Sequence, residues 1–173
     1  AGVALAVLAL LMTALVAVPP AEAARRPHLA TATKSDPLTV TLTRLNPSTL
    51  PRRGPVVIGG LVHNTSKDTW VGVNVHATVT TTPLTTPAQL TLSEGLSDVD
   101  LGLSRLQSTH GFVTLADLKP RQTRRFRLRI PRSELTIPDA PGAYWIGVQA
   151  LGATSAGRDD LADGRARTLI TRT

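Results

Sequence analysis

The sequence predicts an all-β fold: an immunoglobulin-like antiparallel β-sandwich of about seven strands, with one short helix in a crossover. Three observations predict it. Short segments alternate apolar and polar residues at period two, the mark of strands with one buried and one wet face. Clusters rich in Pro, Gly, Asn and Asp separate those segments and read as turns. Asp139-x-Pro141-Gly142-x-Tyr144 leads into a strand in the manner of a tyrosine corner, whose phenol hydrogen-bonds back to the backbone upstream.

Ala1 to Val18 carries no charge and runs into Pro19-Pro20 and the small-residue triplet Ala21-Glu22-Ala23, with Arg25 and Arg26 just beyond. That order reads as a secretory signal peptide over 1–23, cleaved after Ala23. The apolar run falls between a signal h-region and a bilayer span in length, so an uncleaved anchor is the alternative. Neither an initiator Met nor a basic n-region precedes it, and the true start is expected upstream. Residues 24–37 are polar, short-sided and patternless, and read as a flexible linker.

The sandwich domain is assigned to 38–173. Leu38, Val40 and Leu42 alternate with Thr39, Thr41 and Thr43 in a first strand, closed by Asn46-Pro47-Ser48. A second runs from Pro55 to His63, with Ile58, Gly60 and Val62 on one face and room at Gly60 for a large neighbour. Asn64 to Asp68 is a turn. The third strand sets Val71, Val73, Val75, Ala77 and Val79 on one side, opposite Trp70, Gly72, Asn74, His76 and Thr78. Thr86-Pro87-Ala88-Gln89 is a helix start, with threonine as N-cap and proline in the first turn, and Gly95 stops the helix after Glu94.

The rest of the crossover, with Asp98 and Asp100, reads as loop. Phe112 to Leu115 is a brief fourth strand, and Asp117 to Pro120 a turn. Gln122 to Ile130 alternates most clearly: Phe126, Leu128 and Ile130 on one face, Arg125, Arg127 and Arg129 on the other. In the sixth strand Tyr144, Ile146, Val148 and Ala150 alternate with Trp145, Gly147, Gln149 and Leu151. Arg165 to Thr171 is the seventh.

The chain has no cysteine. An exported domain without disulfides stands on its hydrophobic core, which a length of about 140 residues allows. There are 19 Lys and Arg against 12 Asp and Glu, a formal net charge of +7. Every Lys and Arg lies beyond residue 24 and Glu22 lies in the leader, so the exported part is more basic still. That suits an anionic neighbour such as wall polymer or lipid headgroups; solubility is the plainer explanation. Nucleic acid is not expected as a partner, given export and an aromatic content of 3%.

Arg125, Arg127 and Arg129, spaced about 7 Å apart along one strand face, form the candidate surface for an anionic ligand, since guanidinium forks match phosphates and carboxylates. A solvated face whose charges deter edge pairing is the plainer reading. Asp159, Asp160 and Asp163 invite calcium, but not at EF-hand spacing, and a polar hairpin loop is favoured. Trp70 and Trp145 each begin a strand; if those strands are antiparallel neighbours, the two indoles lie near opposite ends, roughly 20 Å apart. Packing against the crossover or another domain is therefore favoured over a sugar platform. His63 and His76 could approach on adjacent strands, but two imidazoles do not close a zinc site. Asn64-Thr65-Ser66 matches the glycosylation sequon. No nucleophile elbow or phosphate loop occurs, and no catalytic residue, metal or cofactor is assigned.

Several segments carry a resemblance: PRRGPVVIGGLVHNTS from Pro51, GFVTLADLKP from Gly111, IPRSELTIPDAPGAYWIGVQALG from Ile130 and GRDDLADGRAR from Gly157. Together with Trp70 leading into Val71-x-Val73-Asn74-Val75, they resemble the actinobacterial exported family DUF6049, of unknown function. The resemblance implies a longer envelope protein, with the sandwich near its start, a membrane anchor near its far end, and a gene beside that of a lipid II flippase. It supplies no catalytic residues. This chain departs from the pattern at Arg121, where glycine is more usual after Leu-x-Pro, and it stops at Thr173 without the anchor.

The expected role is a non-catalytic extracytoplasmic module of a cell-envelope protein, acting as spacer or contact domain. It would be exported and held at the envelope through its leader or a downstream segment. Expected partners are an envelope protein, an anionic wall or membrane component, or the downstream region of the same protein. The alternative is an anionic-polymer- or carbohydrate-binding module; a third reading is an accessory domain to a downstream hydrolase.

Overall fold

Alternating β-branched and apolar residues build eight strands, described in a computed structural model over residues 36–173. The expected leader over 1–23 and the expected linker up to residue 35 lie outside the described residues. The strands are β1 (Leu38–Asn46), β2 (Pro55–Asn64), β3 (Val71–Val79), β4 (Ser104–Arg105), β5 (Phe112–Thr114), β6 (Thr123–Pro131), β7 (Gly142–Ala153) and β8 (Gly164–Arg172). One α-helix, α1 (Pro87–Glu94), follows β3. No helix among the described residues is long and apolar enough to cross a membrane.

The strands pair antiparallel in two sheets. One has the order β1-β2-β6; the other runs β4-β3-β7-β8, with β5 also on β3. This is an immunoglobulin-like sandwich. The expected loop before Phe112 is not all loop: Ser104 and Arg105 pair with Val79 and Thr78, so β4 and β5 share one edge of β3 as a broken strand. With the chain drawn to that edge, no strand among the described residues lies beyond β6, and its outer edge is open there.

The core lies between the sheets. Val40, Ile58, Val62, Val75, Ile130, Ile146 and Ile170 are all at most 1% exposed within it. Gly60 is filled as the sequence suggests, by the ring of Phe126. Tyr144 makes the tyrosine corner, its Oη donating to the Ala140 carbonyl at 2.6 Å. Burial pushes that phenol up from its ordinary pKa.

Three local expectations are corrected. Val71 does not join the valine face: Gly72, at φ 55°, marks a register shift between Val71 and Asn74, and Val71 turns out to solvent while Trp70 packs inward on Gly152. One extra residue reverses which face a strand residue meets. His63 and His76 lie in different sheets; His63 Nδ1 pairs with Thr123 Oγ1 at 2.8 Å, and His76 stacks on Phe112 with centroids 5.0 Å apart. The last two linker residues are docked rather than free. Asp36 pairs with Arg165 at 3.1 Å, and the Pro37 carbonyl accepts from Thr65 N–H at 3.0 Å.

The chain enters and leaves at opposite poles. Leu38 N–H donates to the Asp163 carbonyl at 2.9 Å, beside the start of β8, whereas the far end of β8 meets the 48–50 segment through Thr171 N–H on the Ser48 carbonyl at 3.1 Å. The nine residues of β8 separate these points, about 30 Å at 3.3 Å per residue.

Candidate functional site

The helix start expected at Thr86 decides which sheet face is free. Thr86 Oγ1 accepts from Gln89 N–H at 3.2 Å and Gln89 Oε1 accepts from Thr86 N–H at 3.1 Å, a complete capping box. The helix so fixed, with the loop after it, covers the outer face of β7. Trp145 Nε1 donates to Ser93 Oγ at 3.0 Å, Gln149 Nε2 donates to Asp98 at 3.0 Å, and the Arg167 guanidinium lies 4.9 Å from the centre of the Trp145 ring. Arg167 also donates to the carbonyls of Glu94 and Leu96 at 3.0 and 2.8 Å. Asp98 is therefore a structural anchor in the crossover.

Both tryptophans are 7% exposed. Trp70 donates through Nε1 to Ser66 Oγ at 2.9 Å. Neither indole offers a sugar an open face. β3 and β7 are antiparallel neighbours, so the tryptophans sit near opposite ends of the pair: Val71 is opposite Ala153, and Ile146 opposite Val79. Asn64 is fully buried, with its amide donating to the Asp68 and Leu118 carbonyls at 2.7 and 3.0 Å. Both amide hydrogens are used, so the sequon nitrogen is engaged in the fold rather than presented at the surface.

Asp163 Oδ2 accepts from Gly152 N–H at 2.8 Å, and Asp159 Oδ1 from Leu161 N–H at 2.9 Å. These carboxylates order the hairpin backbone. Burial pushes the Asp163 carboxyl above its usual range, with the Asp159 and Asp36 charges adding to the rise and the Gly152 hydrogen bond opposing it.

Among the described residues no helix covers the outer face of the three-stranded sheet. Arg125, Arg127 and Arg129 are exposed along β6, alternating with buried Phe126, Leu128 and Ile130. The register sets Arg127 opposite Gly59, and Gly59 opposite Arg44 on β1, so two arginines flank a position without a side chain. Arg125 and Arg129 lie opposite Leu61 and Val57. The sequence reading missed Arg44, whose place across the sheet follows only from the β1–β2 register.

The arginines of β8 and those of the three-stranded sheet differ in their partners. Each arginine of β8 has a carboxylate: Arg165 with Asp36 at 3.1 Å, Arg167 with Asp98 at 3.2 Å and Arg172 with Asp139 at 2.6 Å. Strands β1, β2 and β6 hold no acidic residue. Among the described residues no carboxylate pairs with Arg44, Arg125, Arg127 or Arg129. These positive charges are uncompensated on one side of the molecule, the condition under which a surface attracts anions over several ångströms.

No family model matches the chain, and no curated protein matches it. Among solved structures it is similar to a Bordetella pertussis protein provisionally assigned as ApaA. Identity there is 17%, over 78% of this chain and 93% of that one, with a TM-score of 0.38. It is also similar to a β-D-glucoside glucohydrolase of Trichoderma reesei, at 18% identity and TM-score 0.38, covering 82% of this chain but 18% of the enzyme. At these values neither likeness bears on activity.

Proposed function

We propose that the chain is a non-catalytic, exported β-sandwich module of the cell envelope, whose three-stranded face contacts an anionic polymer. That difference in partners carries this reading: arginines on β8 are matched by acids, while those on the open face are unmatched. Guanidinium groups on a rigid strand meet a repeating anion with little further loss of side-chain freedom, and a polymer engages several at once. Resemblance to an envelope family and the leader-like first 23 residues support export. Entry and exit at opposite poles support a spacer role in the same molecule.

A soluble polymer is the right probe, because an apolar leader partitions into vesicles by itself. Titration of the chain with polyphosphate across a salt series is expected to give binding that weakens steeply with salt. R125Q/R127Q weakens it roughly tenfold at low salt and flattens the salt dependence. Binding that ignores both salt and these substitutions leaves only the spacer role. Export is checked separately by N-terminal sequencing of the mature protein: cleavage leaves Ala24 first, and an intact leader on a cytosolic chain overturns it.

A further inference from the structure

We propose that the cleft where the arginine face ends is a receptor for a phosphomonoester, the end group of an anionic polymer; this rests on the anionic-polymer reading above. The open cleft has a volume of about 590 Å³ and is lined by Arg52, Arg53, Arg129, Arg132, His110 and Ser133, with backbone from the adjoining turns.

Local structure brings these groups together. Pro55 pairs with Pro131 where β2 and β6 end, and Arg132 N–H donates to the Gly54 carbonyl at 3.2 Å. Gly54 sits at φ +91°, a backbone state that favours glycine, and this turn carries Arg52 and Arg53 to the end of β6 that holds Arg129. A 3₁₀ turn over Arg132–Glu134 forms the opposite wall.

The lining is unevenly committed. The Arg132 fork is taken up by the Leu135 and Ile137 carbonyls, both at 3.1 Å, and by Asp139. His110 Nδ1 bonds Glu134 Oε1 at 2.7 Å, which engages the nearest carboxylate and leaves Nε2 as the remaining ring nitrogen. No carboxylate lines the cleft, and Arg52, Arg53 and Arg129 have no acidic partner among the described residues. Three arginines without an acidic partner among the described residues, together with His110 and Ser133, thus line one volume. It falls in the range of small-molecule sites and exceeds what a bare phosphate needs. A phosphomonoester carries close to two charges and three terminal oxygens near neutral pH, against one charge and two such oxygens for a diester. The cleft is therefore selective for chain ends, and the strand face for the repeating diester.

The test is calorimetric and NMR titration of the chain with glycerol 3-phosphate, glycerophosphoglycerol and glycerol. The monoester is expected to bind at least tenfold more tightly than the diester, and glycerol not at all. R52Q/R53Q, on an exposed turn, reduces monoester affinity tenfold or more, while R125Q/R127Q changes it by less than twofold. In the unsubstituted chain the monoester shifts the His110 ring resonances and leaves those of His63 in place. Equal affinity for monoester and diester, an unaffected R52Q/R53Q variant, or unmoved His110 resonances overturns the cleft assignment. Polymer binding indifferent to R125Q/R127Q overturns the face reading instead, so the two fail separately.

Discussion

Phe126 occupies the space that a side chain on its cross-strand partner Gly60 would need. A Cβ at Gly60 would stand 2.7 Å from Phe126 Cζ and would also meet the Thr41 carbonyl. Neither backbone nor ring can yield without moving the sheet. Gly60→Ala is expected to cost about 3 kcal/mol, the upper part of the usual range for overpacking a core, read as a lowered urea midpoint. Gly59, on the same strand but facing the arginines, meets only ordinary contacts at 3.5 Å and beyond. Gly59→Ala is expected to be much milder.

Arg121 adopts φ 62°, the left-handed state, as the third residue of the turn closed by Gln122 N–H on the Lys119 carbonyl at 3.0 Å. Such a turn favours glycine there. Arg121→Gly removes a Cβ penalty of about 1–2 kcal/mol but loosens the unfolded chain. A net gain of about 0.5–1 kcal/mol is expected, seen as a melting temperature raised by a few degrees. An unchanged or lower melting temperature contradicts it.

Asp163 gives a pH dependence of defined sign. Its carboxyl titrates above the ordinary value in the fold because burial disfavours the charge. The native state then holds the proton more tightly than the unfolded chain, and this group's contribution to stability falls as pH rises between the two values. Asp163→Asn keeps an oxygen for Gly152 N–H and removes the charge. The variant is expected to gain stability relative to the parent as pH rises from about 4 towards 7. Denaturant melts at several pH values check this; a difference independent of pH sinks it.

Arg167 holds the crossover down through Asp98, the Glu94 and Leu96 carbonyls and the Trp145 ring. Its side chain is 16% exposed, and that of Asp98 10%. Arg167→Ala leaves a largely buried carboxylate without its cation and is expected to cost about 2–3 kcal/mol. Tryptophan fluorescence should shift to the red as Trp145 meets water. Arg127→Ala, on the open face, is expected to change stability by less than about 0.5 kcal/mol and leave fluorescence alone.

What was legible in the sequence was local or periodic. The helix over Pro87–Glu94 could be read because its cap, proline and glycine lie within ten residues of one another. The outward arginines of β6 and the tyrosine corner were likewise written in spacing. The burial of both faces of β7 was not, because its cover comes from α1 and from Asp98, far off in sequence. The Gly72 register shift was hidden because its valines alternate through it. The difference in arginine partners was also invisible. Arg165 finds Asp36 across 129 residues and Arg167 finds Asp98 across 69, so an arginine that will be neutralised looks like one that will not until the fold brings its partner.

The placement of the chain's entry and exit sets how the sandwich carries mechanical load. A pull between Leu38 and Arg172 is directed along the strands, so the hydrogen-bonded seams are strained in shear and many bonds resist together. Had both points shared one pole, the same pull would peel a single strand, breaking bonds one after another. Pulled from both ends, the domain would hold its length until a whole seam gave way.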